Sequence, residues 1–265
     1  MIKIYTFSHK RPDFIELQNK SFMKNVKCDY EFIIFNNANF DIDKRQYNEI
    51  KNICKNNNLQ CIDIEKDLDL IVELERLESM PIFHGDKTYV NANIACAYPL
   101  CWAWENIISK SNDMVCFIDS DMFLIEEENM IDICNKYNLC YVPQYRGENN
   151  KIYYMWNGLI FINIKNIPDK ENFNLWCGRC DGIPVDVGGQ THYYLQNYKS
   201  QLNILEIGYQ NIWEDPACNF SPANYDILSL EGRKSVLHYR SGSNWNNMPQ
   251  DYHSKKSAWL NEKLK

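Results

Sequence analysis

Val115-Cys116-Phe117-Ile118-Asp119-Ser120-Asp121-Met122-Phe123 decides how this chain is read. An apolar, β-prone run passes directly into two aspartates separated by one residue. In extended backbone, residues i and i+2 point to the same side, which predicts that Asp119 and Asp121 present their carboxylates together. Ligands of open α/β sheets bind beyond the carboxyl ends of the strands. Two carboxylates held there repel each other unless a cation lies between them. Mg²⁺ and Mn²⁺ take such oxygen ligands and can bridge to phosphates. The competing reading is a strand-ending turn in which Asp119 or Asp121 caps the next segment.

Working outward, the residues before this stretch alternate strand and helix patterns. Ile2 to Phe7, Tyr30 to Phe35 and Leu59 to Ile64 read as strands, with helical spacing over Pro12 to Asn25 and Ile42 to Lys55. Ala92 to Ser109 reads as a helix despite Pro99, and Met114 to Ile118 as the fourth strand. This β-α-β-α-β-(α)-β order predicts an α/β fold with a Rossmann-like, mostly parallel central sheet flanked by helices. After Ile131 to Tyr137, a short helix, strands follow closely: Leu139 to Tyr145, Ile152 to Trp156 and Leu159 to Ile164. Strands without intervening helices predict a mixed, antiparallel second half. Gln190 to Tyr198 reads as a helix and Ser235 to Tyr239 as a late strand. No linker or repeat divides the chain, so a single domain over 1–265 is expected, with a nucleotide-binding half over about 1–125 and a second half over 126–265.

Composition narrows the function. The 265 residues carry 28 Lys+Arg against 35 Asp+Glu, a formal net charge of −7, with 45% hydrophobic residues. That is a globular composition, and its acidic balance without a basic block argues against a nucleic-acid partner. The N-terminal stretch reads as a strand and lacks a signal peptide's apolar run. The longest weakly polar stretch, Ala92 to Trp104, is too short for a transmembrane segment. A cytoplasmic, reducing location is expected, in which the eleven cysteines would form no disulfide framework. Cys96, Cys101, Cys116, Cys134 and Cys140 lie in apolar runs and are read as core residues. Cys177-Gly178-Arg179-Cys180 has thioredoxin-like spacing, but Asp181, Gly182 and Pro184 leave no helix to start there. It also lacks a second zinc half-site and is read as a structural pair.

With these elements in place, the chain resembles the GT-A glycosyltransferases, in which an Asp-x-Asp motif binds a divalent cation and the diphosphate of a nucleotide-sugar donor. Thr6-Phe7-Ser8-His9-Lys10-Arg11-Pro12 resembles that superfamily's strand-one loop, which meets the nucleotide. Trp156-Asn157-Gly158-Leu159-Ile160-Phe161-Ile162-Asn163 is similar to the strand placed beside the donor sugar. Val236-Leu237-His238-Tyr239, followed by Gly242 and Trp245, resembles the late histidine motif of the lipopolysaccharide-galactosyltransferase and glycogenin-type families. It departs from that motif in having its glycine one place late and Asn244 where Lys-Pro is expected. The resemblance implies Mn²⁺ (or Mg²⁺) held by Asp119, Asp121 and His238. It places Phe7, Ser8, His9, Arg11, Asn36, Asn37 and Ser120 around the nucleotide, and Lys87 and Arg240 on the phosphates. Asn157, Gly158, Asp186, Gly188 and Gly189 would face the donor sugar and acceptor. The expected reaction moves a sugar from a nucleotide sugar, a UDP-sugar by this resemblance, to a carbohydrate or glycoconjugate acceptor.

Each assignment has a plainer counterpart. A strand-end histidine such as His238 can be hydrogen-bonded structure, although imidazole is also a good Mn²⁺ ligand. Val185-Asp186-Val187-Gly188-Gly189 precedes a helix, so Asp186 either holds a sugar hydroxyl, acts as a general base, or serves ordinary helix entry. Tyr153, Tyr154, Trp156, Trp213 and Trp245 could stack on sugars or fill the core. Glu126-Glu127-Glu128 reads as the acidic first turn of a helix. No P-loop or dinucleotide fingerprint occurs. Two alternatives remain. A haloacid-dehalogenase-type phosphatase would use Asp119 as nucleophile, but Phe123 stands where that motif has Thr or Val. A non-catalytic carbohydrate-binding protein of the same fold is the other.

Overall fold

A computed structural model of the chain describes residues 1–38, 41, 43–64, 92–242 and 248–265. The first elements are β1 (Ile2–Ser8), α1 (Asp13–Asn25), β2 (Tyr30–Asn36), α2 (Lys44–Asn56) and β3 (Gln60–Asp63). Next come α3 (Ala92–Ala103), β4 (Met114–Ile118), β5 (Met122–Leu124), α4 (Met130–Lys136), β6 (Leu139–Arg146) and β7 (Ile152–Asn163). The chain continues through β8 (Gly178–Cys180), β9 (Ile183–Val185), α5 (Thr191–Tyr198), β10 (Ile204–Glu206) and β11 (Gly208–Ile212). It closes with β12 (Tyr225–Leu230), β13 (Arg233–His238) and α6 (Gln250–Lys263). The fold is α/β, with a seven-stranded sheet ordered β10-β6-β7-β4-β1-β2-β3 and a four-stranded sheet ordered β11-β12-β13-β5. By contacts the chain divides into two compact units. The first comprises Met1–Ile62, Ile118–Asp132 and Ile207–Lys265; the second comprises Asp63–Phe117 and Ile133–Glu206.

In the first unit, β1 and β2 pair in parallel from Ile2 opposite Tyr30 to Ser8 opposite Asn36, so the two strands end level. Helix α1 forms because Phe14, Leu17, Gln18, Ser21, Phe22 and Asn25 recur on one buried face. Asp13 and Glu16 in its first turn and Lys24 in its last complement the helix dipole. The antiparallel sheet and α6 enclose a core of Phe14, Phe123, Tyr225, Leu237, Tyr239, Tyr252, Trp259 and Leu260. In α6 the buried face reads Tyr252, His253, Lys256, Trp259, Leu260, a helical stripe with a lysine in the middle of it.

In the second unit, β6 and β7 pair antiparallel, and β6 runs parallel to β10. The sequence reading split β7 at Asn157-Gly158, whereas the strand is continuous. Tyr141 pairs with Ile160 and Val142 with Trp156, so residues 157–159 bulge between them. The Asn-Gly signal is real but produces a bulge within one strand. Pro99 sits inside α3, and a π-helical turn, Trp104–Ile108, follows directly. Glu128 is another correction. It belongs to the first unit, where it forms no helical turn but is buried beneath β13, with Arg233 and the Ser235 hydroxyl binding its carboxylate. Cys177 and Cys180 are both fully buried, Cys177 directly before β8 and Cys180 as its last residue. The Cys180 thiol donates to the Gly189 carbonyl at 3.3 Å.

A candidate metal centre at the Asp119–Asp121 turn

The two aspartates do not lie on extended chain. The Met122 amide donates to the Asp119 carbonyl at 3.0 Å, closing a turn over Asp119–Met122, so the turn, and not strand alternation, brings the carboxylates to one side. Gln18 of α1 clamps that turn, its side-chain amide donating to the Asp119 carbonyl at 2.8 Å and the Met122 carbonyl at 3.0 Å. Leaving the turn, the chain enters β5, which pairs antiparallel with β13 and sets His238 opposite Met122. The Tyr239 amide donates to the Asp121 carbonyl at 2.8 Å, extending the pairing by one step. This register delivers His238 to the aspartates across more than one hundred residues of sequence.

Ligand atoms of Asp119, Asp121 and His238 all lie within 4.8 Å of one another. His238 Nε2 is 3.2 Å from Asp121 Oδ1, and His238 Nδ1 is 2.7 Å from Asp226 Oδ2. The other Asp121 oxygen accepts the Gly242 amide at 2.9 Å. Burial pushes the Asp121 carboxyl up, but His238, that amide and Lys256 together hold it below its ordinary value. Burial also disfavours the His238 imidazolium, and the flanking Asp121 and Asp226 overcome it, raising the pKa to about 10. Without a cation, then, a proton on Nε2 balances the carboxylates. Lys256 is fully buried and donates to the Asn224 carbonyl at 2.7 Å. Burial, partly opposed by Asp121 and Asp226, lowers its pKa to about 8.

Chemically the set fits a divalent cation of the Mn²⁺ type. Two carboxylates match the ion's charge, and the imidazole suits Mn²⁺ better than Mg²⁺, which prefers oxygen. The backbone beside Asp121 is unusual. Arg240 and Ser241 both adopt φ of 62°, an unusual pair of left-handed non-glycine residues, and turn the chain so that the Gly242 amide meets Asp121. A Cβ on Gly242 would lie 2.8 Å from the Asp121 Cβ, which accounts for the glycine. The Arg240 guanidinium sits over the exposed Trp213 ring at 5.1 Å and 3.4 Å from Asp226.

The other expected residues fall in separate places. Ser8, Asn36 and Asn37 meet at the level ends of β1 and β2, where the Asn37 amide donates to the Ser8 carbonyl at 2.8 Å. The buried Ser8 hydroxyl has no hydrogen-bond partner among the described residues. Phe7 stacks on Phe35, and His9 Nε2 lies 3.0 Å from Asp43. Arg11 donates to Asp13 at 2.8 Å and to the Ser257 hydroxyl at 3.4 Å, and lies 3.8 Å over the Phe14 ring. Ser120 is the half-buried middle of the turn. On the second unit, Gly188 has φ of +88°, and a Cβ there would lie 2.1 Å from the Met155 carbonyl, so it packs directly on β7 beside Asn157. The Asn157 amide donates to Cys96 Sγ at 3.5 Å, and Gly158 is buried beside it. A side-chain oxygen of Asp186 accepts the Val187 amide at 2.8 Å. Gly189 packs on Val185, whose Cγ2 would lie 2.2 Å from an added Cβ. Lys87 lies outside the described residues.

Gln18, Asp226 and Lys256 were not anticipated. The available signal for Asp226 is a carboxylate inside the otherwise apolar Tyr225-Asp226-Ile227-Leu228 run. Lys256 interrupts an aromatic stripe in α6 in the same way.

No protein-family model and no curated protein matches the chain. Among solved structures, the galactosyltransferase LgtC in complex with donor and acceptor sugar analogues is similar at 11% identity, over 99% of this chain and 95% of that one, with a TM-score of 0.47. Mouse xyloside xylosyltransferase 1 is similar at 10% identity, over 78% of this chain and 85% of that one, with a TM-score of 0.42. The mannosyltransferase Ktr4p from S. cerevisiae is similar at 9% identity, over 64% and 58% of the two chains, with a TM-score of 0.39. All three are glycosyltransferases. Likeness at this level assigns neither residues nor chemistry to this chain, which have to come from the site itself. No helix among the described residues is long and apolar enough to cross a membrane.

Proposed function

We propose that this protein is a divalent-cation-dependent glycosyltransferase that takes a sugar from a nucleotide-sugar donor, a UDP-sugar in the narrower reading, and passes it to a carbohydrate or glycoconjugate acceptor. One observation carries the proposal. Two carboxylates and an imidazole converge just past the carboxyl end of β4, where ligands of α/β sheets bind. Asp119, Asp121 and His238 would hold the cation, Mn²⁺ in preference to Mg²⁺. When bound there, it supplies Lewis-acid charge to a departing nucleoside diphosphate. Arg240 adds a fixed positive charge beside the site, available to phosphate oxygens. Ser8, with Phe7, His9, Asn36 and Asn37, offers polar and apolar contacts for a nucleoside at the ends of β1 and β2. On the second unit, the buried Asn157, Gly158, Gly188 and Gly189, the two later glycines packed on Met155 and Val185, would shape the wall that faces the donor sugar and acceptor. Asp186 there either orients a hydroxyl or accepts the acceptor's proton.

An imidazole set against two carboxylates is a metal-donor set and has no role in forming an aspartyl-phosphate, so nothing observed favours the phosphatase reading. The test is a panel of nucleotide sugars with saturating Mn²⁺, followed by thermal shift and by donor hydrolysis. At least one donor should stabilise the protein and be hydrolysed. Absence of both across the panel would leave the non-catalytic carbohydrate-binding reading in its place.

A further inference from the structure

The geometry points to Asp226 as the residue that makes His238 a ligand, by fixing which ring nitrogen keeps its proton; this rests on the metal site proposed above. In the β12–β13 ladder Asp226 and His238 are directly opposed, and their side chains meet with Asp226 Oδ2 2.7 Å from Nδ1. The Asp226 side chain is 1% exposed, so this contact is shielded from water. Its second oxygen, Oδ1, accepts the Asn211 side-chain amide and lies 3.4 Å from the Arg240 guanidinium. Both donors favour an oxygen at Oδ1, which leaves Oδ2 to accept the Nδ1 proton. With Nδ1 committed as donor, only Nε2 has a lone pair to give, and Nε2 is the atom facing Asp121. Asp226 itself stands outside the three-ligand cluster. A carboxylate behind a histidine ligand of this kind fixes the tautomer and ring orientation and increases ligand basicity.

The isosteric change Asp226→Asn makes the idea sharp. Asn211 and Arg240 would hold the new amide's carbonyl at the Oδ1 position, turning its NH₂ group toward Nδ1. An NH₂ there requires Nδ1 to accept, which puts the proton on Nε2 and closes the ligand position.

The experiment titrates Mn²⁺ alone into the full chain, reading free Mn²⁺ by electron paramagnetic resonance and the imidazole ¹⁴N coupling of the bound ion by electron spin echo. It compares wild type, His238→Ala, Asp226→Asn and the double variant, with folding followed by circular dichroism melts. Asp226→Asn should weaken Mn²⁺ binding by about 10–100-fold and abolish the ¹⁴N coupling. The double variant should bind as His238→Ala does, because Asp226 acts only through the ring. Wild-type affinity with the coupling retained in Asp226→Asn would overturn the inference while leaving the metal site standing, and so would additive losses in the double variant. No Mn²⁺ binding by wild type would overturn both. Should Asp226→Asn fail to fold, Asp226→Ala is read by the same two signals, and unchanged affinity with the coupling intact again overturns the inference.

Discussion

Raising the pH should tighten Mn²⁺ binding about tenfold per unit between pH 6.5 and 8.5. The reason lies in what occupies the site in the cation's absence. His238 is flanked by Asp121 and Asp226 at 3.2 and 2.7 Å and keeps its second proton up to about pH 10. A cation must displace that proton from Nε2, so each unit of pH below 10 costs about 1.4 kcal/mol of apparent affinity. At pH 7 the handicap is on the order of a thousandfold, and at pH 8 about a hundredfold. The assay is calorimetry with Mn²⁺ in buffers of different ionisation heat, which reports the affinity and the protons released together. About one proton should leave per ion. Lys256 titrates near the same range, with a pKa of about 8, so the same titration on His238→Ala isolates the imidazole. That variant should bind more weakly and lose most of the slope. A flat profile in wild type, or an undiminished slope in His238→Ala, would refute the reasoning.

Three further outcomes follow from the same geometry. In chelator, the raised His238 pKa contributes stability that is fully present below pH 6.5 and lost as pH rises through about 10. The amount is at most ~5 kcal/mol, counting the His238 interaction with both carboxylates once, and urea melts of wild type against His238→Ala should show it as a difference in slope. Gly242→Ala places a Cβ 2.8 Å from the Asp121 Cβ and 2.9 Å from Oδ2, so Asp121 has to move; Mn²⁺ affinity should drop about tenfold, and unchanged titrations would contradict it. Burial raises the Cys180 thiol to about 11, so it should resist iodoacetamide at pH 7.5 while the fold is intact, with rapid labelling on mass analysis the contrary result.

The βα alternation of the first 64 residues was legible because each element has its own clear period. Helix α1 carries apolar residues on one face, and β4 is an unbroken apolar run. The aspartates were legible for the same reason, since β4 points straight at them. Their mutual geometry was not. It depends on a turn closed by the Met122 amide and clamped by Gln18, neither of which leaves a periodic trace. Strand β5 is three residues long and is a strand only because β13 pairs with it, a contact set by tertiary structure. Helix α6 leaves a weak trace in the sequence because its buried stripe includes His253 and Lys256, polar residues that Tyr239, Asn224 and Arg240 receive only in the folded chain. Asp226 was hidden for a related reason, a carboxylate whose partner lies across a ladder and not along the chain.

The central claim is that Asp121 holds a cation on which sugar transfer depends, and one comparison tests it most directly. Hydrolysis of the best nucleotide-sugar donor would be measured for wild type and Asp121→Asn, each with Mn²⁺ and with chelator, alongside far-ultraviolet circular dichroism. The account predicts turnover only in wild type with Mn²⁺, and a folded but inactive Asp121→Asn. Turnover retained by Asp121→Asn, or by wild type in chelator, would contradict it.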